Sequence, residues 1–159
     1  MTTLLEAAGG ESGILRLARA WHERAVADEV VGHAFGHGFH PQHTERLAAY
    51  WVEALGGPPR FTSTYADETS VVRMHSGNGL HEEMDDRAIA CFDAAMSDVG
   101  LPPDDPARTV LHDWFSWMTR THLGRWPDST DDVPDGLRLL TWGWDGPEDP
   151  PAAGPDGGD

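Results

Sequence analysis

The segment VVRMH at residues 71–75, followed by SGNG at 76–79, is the part of the sequence that decides the fold assignment. An apolar pair and an arginine precede the histidine, and the two glycines after it cannot continue a helix. Such a short, interrupted element can turn one side chain inward. His75 is therefore a candidate ligand, although a solvated loop histidine is the commoner outcome when spacing alone is considered.

Apolar residues recur at helical spacing on both sides of this segment, which predicts an all-α domain. One helix is expected in the first thirty residues and another at about 42–55, with a brief helical turn carrying Phe35 between them. Two further helices are expected at about 84–99 and 105–123, the second starting at an Asp-Pro pair suited to a helix N-terminus. No alternation of apolar and polar residues is strong enough to predict a strand.

The composition changes after Trp126, where proline, glycine and aspartate become frequent and half of the twelve prolines occur. We expect one domain at residues 1–124 and a Pro/Gly/Asp-rich C-terminal extension at 125–159, disordered from about residue 146. The leucines and tryptophans at 137–144 are too apolar for a simple linker. They either fold back on the domain or meet a partner.

Charge and cysteine content exclude several classes of protein. The 27 Asp and Glu residues outnumber the 11 Lys and Arg residues, and the net charge of −16 repels phosphate backbones and anionic membranes. Cys91 is the single cysteine, so no intramolecular disulfide can form, as is usual in a reducing cytoplasm. No secretory signal and no apolar stretch of membrane-spanning length is visible. We therefore expect a cytoplasmic protein without nucleic-acid or membrane partners.

The order of several motifs between Leu4 and Leu123 resembles the truncated haemoglobins, specifically their second group. The motifs are Gly9-Gly10, Trp21-His22, Asp28-Glu29-Val30-Val31 before Phe35, Arg46-Leu47 before Leu55-Gly56-Gly57-Pro58, and Arg73-Met74-His75. Their common order and spacing, rather than any single motif, are specific. The resemblance implies a shortened globin fold in which the helices form a two-over-two sandwich.

The same resemblance implies a haem b cofactor with His75 as the proximal iron ligand. A neutral imidazole suits iron, and a partner on its other ring nitrogen would fix its orientation. Arg73 would pair with a haem propionate, and Phe35 falls at the position that packs against the porphyrin. The remaining residues expected to contact the cofactor are Leu47, Trp51, Phe61, Met74 and Ala88, several of which would also suit an ordinary core.

The distal side departs from the family pattern. Group II members usually carry a tyrosine and a tryptophan where this chain has His22 and Ala88, and His43 falls where other globins carry their distal histidine. An imidazole can stabilise bound dioxygen or accept a proton from peroxide, whereas alanine only leaves space. Binding of a diatomic ligand, peroxidase, nitric-oxide dioxygenase and oxygenase chemistry all stay open, and so does ligation of iron by His22 or His43.

Turnover would require a separate electron-donating reductase, because the sequence has no flavin-binding or nicotinamide-binding motif. Two other classes of protein also stay open. His33, His37, His40 and His43 lie within eleven positions and could bind zinc, copper or nickel without haem, although their spacing matches no known closed site. A haem-free helical interaction module is the other alternative, suggested by the tryptophan-bearing extension.

Overall fold

The computed structural model describes residues 2–36 and 38–148, and this part of the chain is mainly helical. Its α-helices are α1 (Leu4–Ala7), α2 (Gly10–Ala27), α3 (His43–Ala54), α4 (Glu68–Met74), α5 (Glu82–Asp98) and α6 (Pro106–Trp117). Shorter elements are 3₁₀ turns at Val31–Phe35 and Thr130–Asp132, a π-helical turn at Met118–His122, and strands β1 (Thr141–Gly143) and β2 (Gly146–Glu148). The predicted all-α fold is confirmed for residues 2–36 and 38–124, and the two short strands lie in the C-terminal extension.

Aspartate side chains fix the starts of the two helices that matter most for the site. The Asp67 carboxylate accepts a hydrogen bond from the Ser70 amide at 2.8 Å and so begins α4. Asp105 accepts from the Ala107 amide at 2.9 Å and begins α6, with Pro106 as its first residue. Each carboxylate satisfies an amide that the helix itself leaves free. Only the second of these starts was predicted.

Helices α2 and α3 pack together, α5 packs on both α2 and α6, and the result is a stack of two helix pairs. Trp51 of α3 lies at its centre and is 1% exposed. Its ring contacts Trp21, Phe92 and Trp114 edge to face, with centroids 6.0, 5.6 and 5.8 Å away. One aromatic side chain therefore contacts all three other long helices. Truncating such a residue to alanine costs roughly 3–5 kcal/mol.

The segment after α6 folds back on the domain, which answers the question left open by the sequence. Val133 is 2% exposed, Trp142 is buried, and the Trp144 indole donates to the Thr2 carbonyl oxygen at 2.9 Å. Strands β1 and β2 pair antiparallel, with Trp142 opposite Pro147. The expectation of disorder from about residue 146 is thus wrong for 146–148, and the rest of that expectation concerns 149–159, outside the described residues. Strands of three residues are too short to give an alternation pattern.

Across residues 2–36 and 38–148, no helix has the length and apolar character required to cross a lipid bilayer.

Candidate functional site

His75 follows the last residue of α4 and is oriented by the backbone of its own helix. Its Nδ1 lies 2.8 Å from the Val71 carbonyl oxygen, one turn earlier. Because a carbonyl oxygen can only accept, Nδ1 carries the proton and donates this hydrogen bond. The lone pair is then on Nε2, the atom that a neutral imidazole uses to bind a metal ion.

The surroundings of His75 are those of a side chain on the wall of a cleft. The residue is exposed to solvent, yet protein atoms surround the imidazole closely enough that desolvation lowers its pKa. The charges of His81 and His122 lower that pKa further, and the hydrogen bond to Val71 opposes the change. An exposed but poorly hydrated ring is expected on a concave surface rather than a convex one. His75 is therefore neutral at neutral pH and open to a ligand.

The cleft beside His75 has a volume of about 190 Å³ and is bordered by the start of α5 and by the segment that follows α6. Leu80 lies on its wall and is 82% exposed, so it presents apolar surface to the cleft. His81 and Asp85 line the same cleft, and His81 Nδ1 lies 3.0 Å from Asp85 Oδ1. A porphyrin is larger than this volume, so it would have to displace exposed side chains at the rim.

His22 and His43 form a second cluster with two phenylalanines. Their imidazole centroids are 4.8 Å apart, and each lies 5.4 Å from the Phe35 ring. Phe39 closes the cluster, with its ring 4.6 Å from that of His22. The Nδ1 atoms of both histidines are buried and have no hydrogen-bond partner among the described residues. The sequence predicted that His22, His43 and Phe35 belong to one site, and the structure brings them together.

Both imidazoles of this cluster are neutral at neutral pH. Burial lowers the pKa of His43, and the charges of His22, His40 and His75 lower it further. Burial also lowers the pKa of His22. An Nδ1 atom without an acceptor is the better place for the lone pair, so we assign the proton to Nε2 in each ring. Each histidine then offers one N–H donor to a small molecule.

The other apolar residues predicted to contact the cofactor lie in or beside the core. Trp51 and Phe61 are buried, and Leu47 is half-buried against the core. Ala88 is buried too, and its carbonyl oxygen accepts a hydrogen bond from the Trp21 indole at 3.1 Å. Trp51 contributes mainly to core packing. The roles of all four as cofactor contacts stay predictions.

Arg73 and Met74, the two residues before His75, are both exposed. Met74 is 71% exposed, which leaves its side chain free to cover an apolar ligand. The Arg73 guanidinium, expected to pair with a haem propionate, instead donates to the Val133 carbonyl oxygen at 3.1 Å and to Asp135 at 2.8 Å. These partners lie sixty residues further along the chain, and no local pattern indicates them.

A buried polar network at the start of α4 was not predicted. Tyr50 donates to Glu68 Oε1 at 2.8 Å, His122 Nε2 lies 2.6 Å from the same oxygen, and Oε2 has no partner among the described residues. Burial raises the pKa of Tyr50 well above its usual range, and the neighbouring Glu68 charge adds to this effect. The phenol thus stays protonated and keeps donating. A glutamate that follows a capping aspartate is normally an exposed residue of the first helical turn, so no local pattern indicates its burial.

The alternative metal site has less support. His37 lies outside the described residues, and His40 Nδ1 accepts a hydrogen bond from the Gln42 amide at 3.0 Å. Within residues 2–36 and 38–148, no three or more His, Cys, Asp or Glu side chains are arranged to hold a metal ion. His43 packs against His22 and the two phenylalanines of its cluster.

The two stacked helix pairs, with His75 on the wall of a cleft, match the globin fold that the sequence predicted. The chain belongs to the bacterial-like globin family, whose model matches residues 3–119. Among curated proteins no significant sequence match was found.

Solved structures of group II truncated haemoglobins share this fold, as the sequence predicted. The protein from Bacillus anthracis has a TM-score of 0.68 at 18% identity, with 84% of this chain and 98% of that chain covered. The truncated oxygen-avid haemoglobin from Bacillus subtilis has a TM-score of 0.63 at 22% identity, covering 76% and 98%. A thermostable haemoglobin from Thermobifida fusca has a TM-score of 0.63 at 25% identity, covering 76% and 96%. Family membership implies a haem-binding globin that takes dioxygen or another small ligand.

The residues of this chain fit a haem. The free Nε2 of His75 is a suitable iron donor, and the exposed Leu80 and Met74 supply apolar surface next to it. A neutral imidazole with an unprotonated Nε2 is the donor that a haem iron takes from a histidine.

Proposed function

We propose that this chain binds haem b with His75 as the proximal ligand and takes dioxygen or another small ligand beside His22 and His43. The observation that carries the proposal is the hydrogen bond from His75 Nδ1 to the Val71 carbonyl oxygen. This hydrogen bond leaves Nε2 of His75 unprotonated and fixes the orientation of the ring before a metal ion binds. When bound, haem would supply an iron atom with one position for His75 and one for a small ligand.

The residues around His75 act on its orientation and basicity. The Val71 carbonyl oxygen holds the proton at Nδ1, which fixes the tautomer and strengthens Nε2 as a donor. Desolvation keeps the imidazole neutral, so no proton has to leave Nε2 at neutral pH. The partner is a neutral carbonyl rather than a carboxylate, so His75 has moderate donor strength, as suits reversible ligand binding.

The distal residues act through hydrogen bonding and exclusion of water. His22 and His43 each present an N–H donor that can stabilise a partly negative ligand atom, and Phe35 and Phe39 shield both rings from solvent. The small side chain of Ala88 adds no donor. His22 and His43 would thus replace, as hydrogen-bond donors, the tyrosine and tryptophan that are usual in group II.

Peroxidase-type chemistry is the second candidate function. The observation that favours it is the 4.8 Å separation of two neutral distal imidazoles. One ring, shifted to its Nδ1–H tautomer, would accept a proton from hydrogen peroxide at Nε2, while the other donates a hydrogen bond, and the accepted proton would return to the departing oxygen. Reduction of hydrogen peroxide to two water molecules takes two electrons and two protons. A separate reductase or a reducing substrate would have to supply the electrons.

The test is a titration of the purified full chain with hemin, followed in the Soret region after removal of free hemin. We expect saturation at one hemin per chain, a band shift on reduction and a second shift on addition of carbon monoxide. A pyridine haemochrome spectrum would identify the b type. A protein that stays colourless would contradict the proposal. Zinc or nickel found instead by metal analysis would support the loop-histidine alternative.

A further inference from the structure

The segment from Gly124 to Leu137, here called the C-terminal brace, is hydrogen-bonded to the chain on both sides of His75. The Gly77 and Gly79 amides donate to the carbonyl oxygens of Trp126 and Pro127, at 3.0 and 2.8 Å. These bonds hold the turn that follows His75.

The helix before His75 is held by the same brace. The Thr69 hydroxyl donates to the Pro134 carbonyl oxygen at 3.2 Å and accepts from the Leu137 amide at 3.0 Å. Arg73, one turn further along α4, adds the bonds to Val133 and Asp135. The side chain of Asp135 is 94% exposed, so this ion pair alone contributes little. The buried Thr69 contacts and the backbone bonds carry most of the interaction.

The brace is itself anchored to the domain. Val133 is buried in the core, and the Trp142 ring, which follows the brace, lies 5.7 Å from that of Trp117. Gly124 and Pro127 line the same cleft as His75. The brace lies outside residues 3–119, where the family model matches.

A helix of seven residues such as α4 is too short to be stable by itself, so its position depends on what it packs against. We propose that the C-terminal brace is a positioning element that sets the placement of His75 relative to the cleft. Thr69 and Gly77 are its main contact residues, and Arg73 serves the brace rather than a haem propionate. This inference rests on the proposed role of His75 as an iron ligand.

The variants that test the brace come with matched controls. Gly77 and Gly79 have almost the same left-handed backbone angle, with φ of 73° and 72°. A Cβ at Gly77 would meet the Thr130 amide nitrogen at 3.2 Å, whereas one at Gly79 would meet no atom within 4 Å. Gly77→Ala and Gly79→Ala therefore carry similar backbone strain, and only the first pushes against the brace. Thr69→Val removes both hydroxyl contacts while keeping the shape, and the exposed Thr64→Val is its control.

The first measurement is amide hydrogen exchange over residues 75–79 of the full chain without haem. In Thr69→Val we expect exchange about five- to tenfold faster than in wild type, as for the loss of a hydrogen bond. Gly77→Ala should exchange faster than Gly79→Ala, and Thr64→Val should match wild type. Equal exchange rates in all four variants and in wild type would contradict the proposal that the C-terminal brace holds residues 75–79.

The second measurement uses the hemin-reconstituted ferrous protein. The iron–histidine stretching frequency should shift in Thr69→Val and Gly77→Ala but not in the two controls, and haem release should accelerate about tenfold or less. Normal hemin uptake with unchanged frequency and release in every variant would overturn the positioning role alone. Failure of the wild type to take up hemin would instead overturn the proposed function, while the exchange experiment would still report on the brace contacts.

Discussion

The two sides of the candidate site are built in different ways. His75 is oriented by one hydrogen bond to its own helix and stands in an open cleft. His22 and His43 are packed between phenylalanine rings, and their Nδ1 atoms have no hydrogen-bond partner among the described residues. The hydrogen bond fixes the orientation of the His75 ring, whereas the packed pair provides two neutral N–H donors whose side chains can adjust to a ligand. Metal binding should therefore depend on one residue, and ligand binding on two that partly replace each other.

The largest expected effect comes from His75→Gly, which removes the preset donor. Haem retention should be lost, and free imidazole should restore a wild-type Soret band because the cleft beside the missing ring is open. The measurement is the absorption spectrum after gel filtration, with and without imidazole. His81→Gln is the matched control, since His81 lines the same cleft. A His75→Gly protein with an unchanged spectrum would place the axial ligand elsewhere.

An intermediate effect is expected on the distal side. His43→Leu and His22→Leu should each keep haem and accelerate dioxygen release about five- to tenfold, the factor for one lost hydrogen bond. The double variant should show more than the product of the two factors if one imidazole can replace the other, because each single variant then keeps a compensating donor. Release rates come from rapid mixing with carbon monoxide.

The ferric absorption spectra of the same variants test whether either distal histidine ligates iron. A low-spin wild type that becomes high-spin in only one variant would identify that histidine as the sixth ligand. Unchanged rates and spectra in both variants would remove His22 and His43 from the distal site.

The smallest effect concerns the support of the turn that carries Phe35. Asp28 accepts hydrogen bonds from the Val30 and Val31 amides and from Arg87, and its pKa is lowered to about 2, chiefly by Arg87. Arg87→Met should raise that pKa towards 3.8. A carboxyl group with a lowered folded-state pKa stabilises the fold above its unfolded pKa and loses this contribution as pH falls. The difference in free energy of unfolding between variant and wild type should thus be largest above about pH 4 and shrink towards pH 2.

Urea midpoints measured at several pH values, together with an NMR titration of Asp28, would check this prediction. Glu83→Gln is the control, because it removes only the more distant 3.9 Å partner of Arg87. A pH-independent difference would show that Arg87 acts through packing rather than through the Asp28 charge.

The helices and the location of His75 could be predicted because their signals are local. The expected helix at 42–55 is observed at His43–Ala54, and the Asp-Pro pair starts α6 as predicted. The Asp67 cap that begins α4 at Glu68 was not predicted, although an aspartate before a helix is itself a local signal. Grouping His22 with His43 depended on family resemblance, since nothing local joins residues on α2 and α3.

The parts that could not be predicted are contacts between distant segments. The partners of Arg73 lie 60 and 62 residues further along the chain, and His122 reaches Glu68 across 54 residues. The composition of the C-terminal extension predicted disorder only from about residue 146 and left open whether residues 137–144 fold back. Val133 and Trp142 are buried against the domain, and no local pattern shows which residues they contact. Phe39 was overlooked because the neighbouring glycine and proline mark its segment as a loop.

The connection between Thr69 and Leu137, 68 residues apart, also has a consequence for biosynthesis. The N-terminal end of a chain leaves the ribosome first. Contacts between residues this far apart in the sequence form after the local helices. The globin core can therefore collapse while the segment around His75 is still unsupported. On the proposed role of His75, cofactor capture should therefore follow the emergence of residue 137 from the ribosome.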